Sequence, residues 1–262
     1  MISPLEISGM TKTFDTPTGP YVAVRNVNAT ILDQEFICIL GHSGCGKSTV
    51  LSIIAGLTEA TEGGVLIDGM EVVGTGKDRG VVFQAPCLLP WLTAGENVRL
   101  AVGSAFPAYS RAQQEKQARN ALELVDIADC YEQLPAELSL GTQQCVSLAR
   151  AMALDPRFLL LDEPFSMLDS LTRLAMQDVL LQAWERTRKI VVMVTHDIDE
   201  AIYLSDRIIL MTDGPEARVG EILTVPFERP RDRAAVLQHQ LHGQFRRQVL
   251  DFLEKHARQF RN

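Results

Sequence analysis

Residues 41–49 read GHSGCGKST and directly follow the short apolar run EFICIL at residues 35–40. The run predicts a buried strand that ends at a glycine-rich loop, and STVLSIIAGL beyond it has the apolar spacing of a helix. Glycines let such a loop curl, so that successive backbone N–H groups converge on phosphate oxygens at the helix N-terminus. An ordinary glycine-rich turn is the alternative, but the strand–loop–helix setting favours phosphate binding.

The loop fits the pattern G-x-x-x-x-G-K-[ST], and we call residues 41–49 the P-loop. The pattern predicts that Lys47 reaches the β- and γ-phosphates of ATP and that the Ser48 hydroxyl coordinates Mg²⁺. ATP and Mg²⁺ are therefore the predicted cofactors. The P-loop residues predicted to line the nucleotide are Gly41, His42, Ser43, Gly44, Cys45, Gly46, Lys47, Ser48 and Thr49.

Two further apolar runs end in acids or a histidine, namely RFLLLDEP at residues 157–164 and KIVVMVTHD at residues 189–197. Continuous apolar strands that alternate with helices predict a mostly parallel sheet covered on both faces, and therefore an α/β fold. Ligands of such sheets bind at the carboxyl ends of the strands, which is where these polar residues lie.

The polar residues at the strand ends are candidates for the chemistry. Asp162 suits a direct or water-mediated hold on Mg²⁺, because an acid ending a buried strand is costly without a cation or water. Glu163 suits orienting or deprotonating the attacking water. His196 could contact the γ-phosphate, although a lone histidine is usually structural, and Gln84 after GVVF could contact Mg²⁺ or water.

The segment at residues 86–135 separates the core strands and predicts an inserted helical subdomain. Within it, Ser110 and Gln113 fit a capping box at the start of a helix. The predicted core then comprises residues 1–85 and 136–225, with an N-terminal antiparallel β part.

A helical tail is predicted at residues 226–262, after a closing hairpin formed by DRIILMTDG and RVGEILTV. The tail begins with the arginine-rich ERPRDR and continues with apolar residues four apart, which indicate an amphipathic helix. This stripe is more typical of a packing face than of a membrane anchor. Its residues are Leu241, Phe245, Val249 and Leu253.

Composition excludes several classes of protein. The chain of 262 residues is 46% hydrophobic, enough to fill a core, and its formal net charge of -8 argues against nucleic-acid binding. Five scattered cysteines form no CxxC pair, which favours reduced thiols in a cytosolic protein. The N-terminus MISPLEISGM does not resemble a signal peptide, and no apolar stretch approaches the ~20 residues of a membrane helix. We expect a chain that does not span a membrane, which leaves docking on a membrane protein open.

Several of these motifs occur in the order found in ATP-binding cassette (ABC) ATPases, which the chain resembles from about residue 5 to 225. They are the P-loop, Gln84, residues 138–144, LLLDEP, SMLD at residues 166–169 and His196. In that family two cassettes meet head to tail, and the signature loop of each covers the ATP held by the other. The resemblance implies a P-loop core of the ABC type, and it implies that Ser139 and Gly141 aim at a partner's γ-phosphate.

The resemblance also assigns Asp169, at the end of SMLD, to the nucleotide site. Phe14 in TKTF resembles the aromatic residue that stacks on adenine, with Tyr21 as the alternative. A lone phenylalanine is more often a core residue.

A finer resemblance joins the chain to the ATPases of nitrate, cyanate, bicarbonate, sulfonate and taurine importers. It is carried by GHSGCGKST, KDRGVVFQ, LLPWLTAGENV and the arginine-rich tail, and the P-loop wording and the tail favour the nitrate–bicarbonate branch. The implied function is to power import of a small anion such as nitrate, nitrite, bicarbonate or cyanate. The implied location is peripheral, on the cytoplasmic face of the inner membrane.

The implied partners are a second cassette, two transmembrane permease subunits and, indirectly, a substrate-binding protein, but no nucleic acid. Residues 85–98 resemble the surface that grips the permease. We expect the apolar residues there to be divided between that contact and the core. They are Leu88, Leu89, Trp91 and Leu92.

The chain departs from the family pattern at its signature. Leu140 stands where the family has the first of two glycines, Cys145 stands where arginine is common, and Met167 replaces a common alanine. Leucine adds bulk and disfavours a positive φ. One explanation is sequence drift that leaves two equal ATP sites slightly weakened. The one we favour is a division of labour between two non-identical cassettes, in which this short chain pairs with a longer one carrying a fused regulatory domain.

Other classes fit less well. A sulfonate or taurine importer ATPase is the alternative within the same group. A DNA-repair ATPase needs a long coiled coil between Gln84 and Ser139, and a translation-type protein carries two tandem cassettes, whereas this chain has neither. An inert regulatory subunit would not need Glu163.

Overall fold

The computed structural model describes residues 4–257. The strands are β1 (Leu5–Thr16), β2 (Gly19–Ile31), β3 (Phe36–Leu40), β4 (Glu62–Ile67), β5 (Met70–Glu71), β6 (Arg79–Val82), β7 (Phe158–Asp162), β8 (Ile190–Thr195), β9 (Arg207–Met211) and β10 (Val219–Thr224). The helices are α1 (Lys47–Ile54), α2 (Ala94–Ala105), α3 (Arg111–Leu124), α4 (Leu140–Met152), α5 (Ser170–Thr187), α6 (Ile198–Leu204), α7 (Arg233–Gln238) and α8 (His242–His256). This mixture of strands and helices confirms the predicted α/β class.

The chain forms two compact units. Among the described residues, the first unit contains those up to Gly76 and those from Ile190 onward, and we call it the P-loop unit. The second, Lys77–Lys189, contains α2 to α5, and we call it the helical unit. The narrower boundaries predicted from the sequence remain a proposal.

An antiparallel sheet with the strand order β2-β1-β4-β5 opens the P-loop unit, and it confirms the predicted N-terminal β part. β1 and β2 pair from Leu5 opposite Ile31 to Thr16 opposite Gly19, with register irregularities on the way. Leu5 and Ile7 are buried whereas Glu6 between them is exposed. This alternation is that of a strand with one face in the core.

The strand before the P-loop lies between two parallel neighbours in the same unit. β3 pairs in parallel with β8 and with β9, and every residue of β3 and β8 is buried. Parallel strands covered on both faces need apolar side chains at every position, which explains the continuous apolar runs. Since Leu40 is opposite Thr195, the P-loop and His196 follow strand ends at the same sheet edge.

β9 and β10 pair antiparallel, so the predicted closing hairpin is confirmed. In the helical unit, β6 and β7 pair in parallel, with Val82 opposite Leu161. Two helices there begin with complete capping boxes, in which side chain and backbone satisfy each other's N–H groups. The box at Ser110 was predicted and is confirmed, and α2 has a second one at Thr93.

The C-terminal tail is tied to α6 by a buried arginine. The Arg231 guanidinium donates hydrogen bonds of 2.6–3.2 Å to four carbonyl oxygens. Three of these follow each other closely at the end of α6, where helix carbonyls lack partners within the helix. The four acceptors belong to Ile202, Tyr203, Ser205 and Phe227.

α8 buries Phe245, Val249, Phe252 and Leu253, and it packs on α6 and β9. The prediction of a packing face is therefore confirmed, although Leu241 is the N-cap of the helix and 38% exposed. Among residues 4–257, no helix has the length and apolar character required to cross a membrane.

Candidate nucleotide-binding site

The P-loop makes a tight turn between β3 and α1. Gly46 is the N-cap of α1 with φ 94°, and a Cβ there would lie 2.5 Å from Val24 Cγ1, so this position requires glycine. The first turn of α1 reads KSTV and carries no carboxylate. Its N-terminal N–H groups and the positive end of its dipole therefore favour an anion in front of the loop.

Lys47 is the cation of the P-loop, and it is buried. Its ammonium donates hydrogen bonds to the carbonyl oxygens of Gly41 and His42, both at 2.9 Å. These two hydrogen bonds hold the Lys47 side chain against the backbone of the loop. An ammonium has three donors, so a phosphate oxygen is a fitting acceptor for the third.

Other P-loop side chains differ in exposure. Ser43 and Ser48 are exposed, whereas Cys45 is fully buried, and burial raises the pKa of its thiol. Cys45 is therefore not available as a thiolate, and its backbone N–H donates to the carbonyl oxygen of His42 at 3.3 Å. The His42 Nε2–H donates to the carbonyl oxygen of Leu253 in α8, at 3.0 Å.

His196 is exposed and follows β8 directly. The turn that holds it is fixed on both sides. The Thr195 hydroxyl accepts a hydrogen bond from the Asp197 N–H at 3.0 Å and donates to the buried Glu200 at 2.7 Å. Asp197 in turn caps α6. The imidazole is thus presented on a well-fixed backbone at the sheet edge that carries the P-loop.

Both candidate adenine platforms lie on one hairpin. Phe14 in β1 is directly opposite Tyr21 in β2, so the two rings project from the same face. They are 39% and 41% exposed, respectively, which is too exposed for core residues. Lys12 Nζ lies 5.1 Å from the centroid of the Phe14 ring. Either ring therefore offers an accessible surface for stacking.

In the helical unit, Gln84 and Glu163 follow the carboxyl ends of the paired strands β6 and β7, and Asp162 is the last residue of β7. Glu163 has φ 46°, in the left-handed region that non-glycine residues rarely adopt. Its carbonyl oxygen accepts hydrogen bonds from the Ser166 N–H at 3.2 Å and the Ser166 hydroxyl at 2.9 Å. Such strained backbone is retained where surrounding contacts fix it, commonly at functional sites.

The signature helix α4 begins at Ser139, which is its N-cap. The Ser139 Oγ accepts the N–H of Thr142 at 3.1 Å and lies 2.8 Å from the Thr142 hydroxyl. Gly141 is buried, and a Cβ there would lie 2.4 Å from Thr172 Cγ2, so a larger residue would not fit without a shift.

Leu140 is the first residue of α4 and is 36% exposed. Its φ is not positive. The preference of leucine for a negative φ therefore costs nothing here, because the first residue of a helix has ordinary helical dihedrals. The leucine at position 140 therefore differs from the family's glycine by adding side-chain bulk at the N-terminus of α4.

Cys145 is also explained by its surroundings. It is buried with its Sγ 3.0 Å from Met176 Sδ, and burial raises the pKa of its thiol to about 12. An arginine at this position would place a charge in an apolar contact between α4 and α5.

Asp169 serves as the N-cap of α5, accepting the N–H groups of Leu171 and Thr172 at 3.1 Å. Hydrogen bonds from Thr172 hold the pKa of Asp169 below its usual range. The carboxylate therefore stays ionised, and its first role in this structure is to cap a helix.

Three side chains without an assigned role in the sequence hold the segment after β6. Gln144 and Arg150, both on α4, donate to backbone carbonyls of this segment at 2.7–3.0 Å. Asn97 accepts one N–H and donates to three carbonyls within residues 89–93. Helical spacing places Arg150 and Asn97 on their helices but gives no signal for these contacts.

The residues proposed for Mg²⁺ fit that ion chemically. Ser48, Gln84 and Asp162 offer a hydroxyl, an amide oxygen and a carboxylate, which are the hard oxygen donors that Mg²⁺ prefers. Within residues 4–257 no group of three or more histidine, cysteine or acidic side chains could hold a metal by itself.

A P-loop between a buried parallel strand and a helix, with its lysine laid along the loop, defines a nucleotide-binding protein of the P-loop class. A family model described as ABC transporter matches residues 24–166. The chain belongs to the ABC transporter family.

Three similar proteins are named as ATP-binding proteins of nitrate import or bicarbonate transport. The chain is 48% identical to the nitrate import ATP-binding protein NrtD of Synechococcus elongatus, covering 92% of this chain and 88% of that protein. It is 46% identical to the bicarbonate transport ATP-binding protein CmpD of Synechocystis, covering 95% and 88%. The nitrate import ATP-binding protein NrtC of Synechocystis is 43% identical over 97% of this chain, but only 38% of its own length is covered.

Among solved structures, the ATP-binding cassette MJ0796 in a dimeric post-hydrolysis state with ADP and Pi has a TM-score of 0.74. The match covers 86% of this chain and 100% of that one, at 35% sequence identity. The predicted ABC-type fold is thereby confirmed.

Proposed function

We propose that this chain is the ATP-hydrolysing subunit of an importer of a small anion, such as nitrate, nitrite, bicarbonate or cyanate. The observation that carries the proposal is an intact P-loop with Lys47 in place, in a chain that is 48% and 46% identical, over 92% and 95% of its length, to a nitrate import and a bicarbonate transport ATP-binding protein. A sulfonate or taurine importer is the second candidate from sequence, and no specific contact favours it.

In the proposed reaction each residue acts at its own atoms. Lys47 and the N–H groups of α1 would bind the phosphates, and Ser48, Gln84 and Asp162 would hold Mg²⁺. When bound, Mg²⁺ supplies positive charge that stabilises the phosphoryl transition state. Glu163 orients the attacking water and accepts its proton, while His196 contacts the γ-phosphate. Phe14 stacks on adenine.

A permease is the proposed partner at residues 85–98. Trp91 is 71% exposed, whereas Leu88, Leu89 and Leu92 are half-buried, which supports the expected division of these residues between contact and core. An open groove adjoins them on α2 and α3. The groove contains the exposed side chain of Leu100 between charged side chains. Its lining residues include Leu92, Glu96, Arg99, Leu100, Arg111 and Gln114. A short amphipathic helix fits such a groove.

This contact would place the chain peripherally on the cytoplasmic face of the membrane. The hydrogen bonds from Gln144 and Arg150 tie the segment after β6 to α4. A push on the groove by the permease would therefore reach the helix that begins at Ser139.

A second, non-identical cassette is the other proposed partner, with Ser139 and Gly141 turned toward its ATP. The bulk of Leu140 at the start of α4 supports unequal sites. So does the existence of two kinds of relative, one of similar length and one of which this chain covers 38%. The longer kind is the type of partner we propose, with its additional length providing a regulatory domain.

The test is reconstitution of the tagged chain with its co-purifying membrane subunits and binding protein in liposomes. ATP turnover should rise several-fold with one of nitrate, nitrite, bicarbonate or cyanate and should not respond to taurine. A response to taurine or a sulfonate alone would favour the second candidate. Turnover that ignores every anion, with no membrane protein co-purifying, would indicate a non-transport ABC ATPase.

A further inference from the structure

Ser166 occupies an unusual position in the loop between β7 and α5, because its hydroxyl joins two residues of the proposed chemistry. The hydroxyl oxygen lies 2.9 Å from the carbonyl oxygen of Glu163 and 3.1 Å from Nε2 of Gln84. All three residues belong to the helical unit. Ser166 is half-buried, whereas Gln84 is exposed at the end of β6.

The single proton of the Ser166 hydroxyl decides the direction of both bonds. A carbonyl oxygen only accepts, so the hydroxyl donates its proton to Glu163. Toward Gln84 the hydroxyl can then only accept, and Gln84 must present its NH₂ group. The amide oxygen of Gln84 is thereby turned to the other side. A glutamine amide has two nearly equivalent orientations, and this contact selects one of them.

The selected orientation leaves the amide oxygen of Gln84 available as a metal ligand. An amide nitrogen does not ligate Mg²⁺, whereas an amide oxygen does. The same serine holds the left-handed backbone of Glu163 through a second bond, from its N–H at 3.2 Å. One residue therefore orients the amide of Gln84 and fixes the backbone of the proposed base.

We infer that Ser166 is a positioning residue of the ATPase reaction, which keeps the amide oxygen of Gln84 available to ligate Mg²⁺ and locks the turn at Glu163. It acts through its hydrogen bonds with Gln84 and Glu163. The inference rests on the proposed function, because it takes Gln84 as a magnesium ligand.

The experiment measures equilibrium binding of ATP to the assembled complex, once with a titration of Mg²⁺ and once with EDTA. Ser166→Ala should raise the Mg²⁺ concentration for half-maximal binding by about 3–10-fold, the size of one hydrogen bond, and leave binding in EDTA unchanged. Ser166→Thr retains the hydroxyl and should restore the wild-type Mg²⁺ response. Ser170→Ala is the matched control, since it removes a hydroxyl from the start of α5 and should change neither curve.

Gln84→Ala completes a double-mutant cycle. If Ser166 acts through Gln84, the double variant should need no more Mg²⁺ than Gln84→Ala alone. Should Ser166→Ala fail to fold, Ser166→Cys, whose thiol is a weak donor and acceptor, should give an intermediate shift.

An unchanged Mg²⁺ curve in Ser166→Ala, or shifts that add in the double variant, would overturn the inference. Failure of the proposed function is a separate result, because it is read from the response of ATP turnover to anions in liposomes. If Gln84 were not a magnesium ligand, Gln84→Ala alone would leave the Mg²⁺ curve unchanged.

Discussion

At the residue scale, the proposed base Glu163 has a backbone conformation that non-glycine residues rarely adopt. The left-handed φ of Glu163 and the two hydrogen bonds to its carbonyl fix where the side chain starts, directly after the buried strand β7. Glutamine has nearly the same shape as glutamate but cannot accept the proton of water. We therefore expect Glu163→Gln to bind ATP normally while turnover falls by about 10²–10⁴-fold, the usual contribution of a general base.

This expectation is checked by measuring nucleotide affinity and phosphate release in the assembled complex. Lys47→Ala is the contrasting variant, because it removes the cation of the P-loop and should lose affinity for ATP itself. Glu163→Gln with wild-type turnover would show that another group accepts the proton.

The adenine platform gives a second prediction at this scale. Phe14 and Tyr21 are cross-strand partners with similar exposure, so only one of them needs to carry the base. Phe14→Ala should weaken ATP binding by about 1–3 kcal/mol, the range for a base stacked on an aromatic ring, and Phe14→Trp should retain it. Tyr21→Ala serves as the control, measured by the same titration. The reverse result would move the platform to Tyr21.

The sequence alone predicted the residues whose role follows from a short local pattern. Lys47 lies in a glycine-rich pattern after an apolar run, and Ser110 lies three residues before its capping partner. The role of Ser166 could not be found in this way, because its partner Gln84 is 82 residues away along the chain. Arg231 likewise looks like one of several arginines until its four carbonyl partners are brought around it.

At the element scale, the C-terminal tail depends on that arginine. Each buried carbonyl left without a donor costs about 1–3 kcal/mol, so Arg231→Met should destabilise the protein by several such losses. Arg231→Lys should recover only part, because an ammonium lacks the planar fork that reaches several acceptors. The measurement is the thermal midpoint by circular dichroism.

Arg247→Met is the control for this comparison. Its side chain is 68% exposed and lies 4.0 Å from Asp251, an exposed pair of the kind that contributes little to stability. Equal thermal midpoints for the two methionine variants would show that the tail is held by the apolar face of α8 alone.

Elements with a clear apolar pattern in the sequence were predicted correctly. They are β3, the hairpin β9–β10 and the apolar face of α8. The start of the signature helix α4 was harder to predict from the sequence. Ser139 and Gly141 were assigned through the family resemblance, but the N-cap role of Ser139 and the helical backbone at Leu140 were not predicted. The observed first helical turn needs no glycine there, whereas Gly141 is required by the approach of Thr172.

At the scale of the whole molecule, the question is what one imperfect signature does in a transporter with two ATP sites. In a head-to-tail pair, the start of α4 would cover the partner's ATP, and the partner's signature would cover the P-loop of this chain. Leu140 projects bulk at the N-terminus where phosphate donors must approach closely. Each well-placed donor lost costs about 2.7–4 kcal/mol of transition-state stabilisation.

The site under this signature should therefore bind ATP and hydrolyse it slowly, while the site built on Lys47 and Glu163 carries turnover. Glu163→Gln in this chain should abolish transport in the full complex, whereas the matching change in the partner cassette should leave much of it. The chain by itself should be a poor ATPase, because pairing with its own copy places the bulky signature over both sites. Leu140→Gly should then raise the activity of the isolated chain. Equal losses from the two glutamate changes, or brisk turnover by the wild-type chain alone, would contradict unequal sites and leave Leu140 as a neutral substitution.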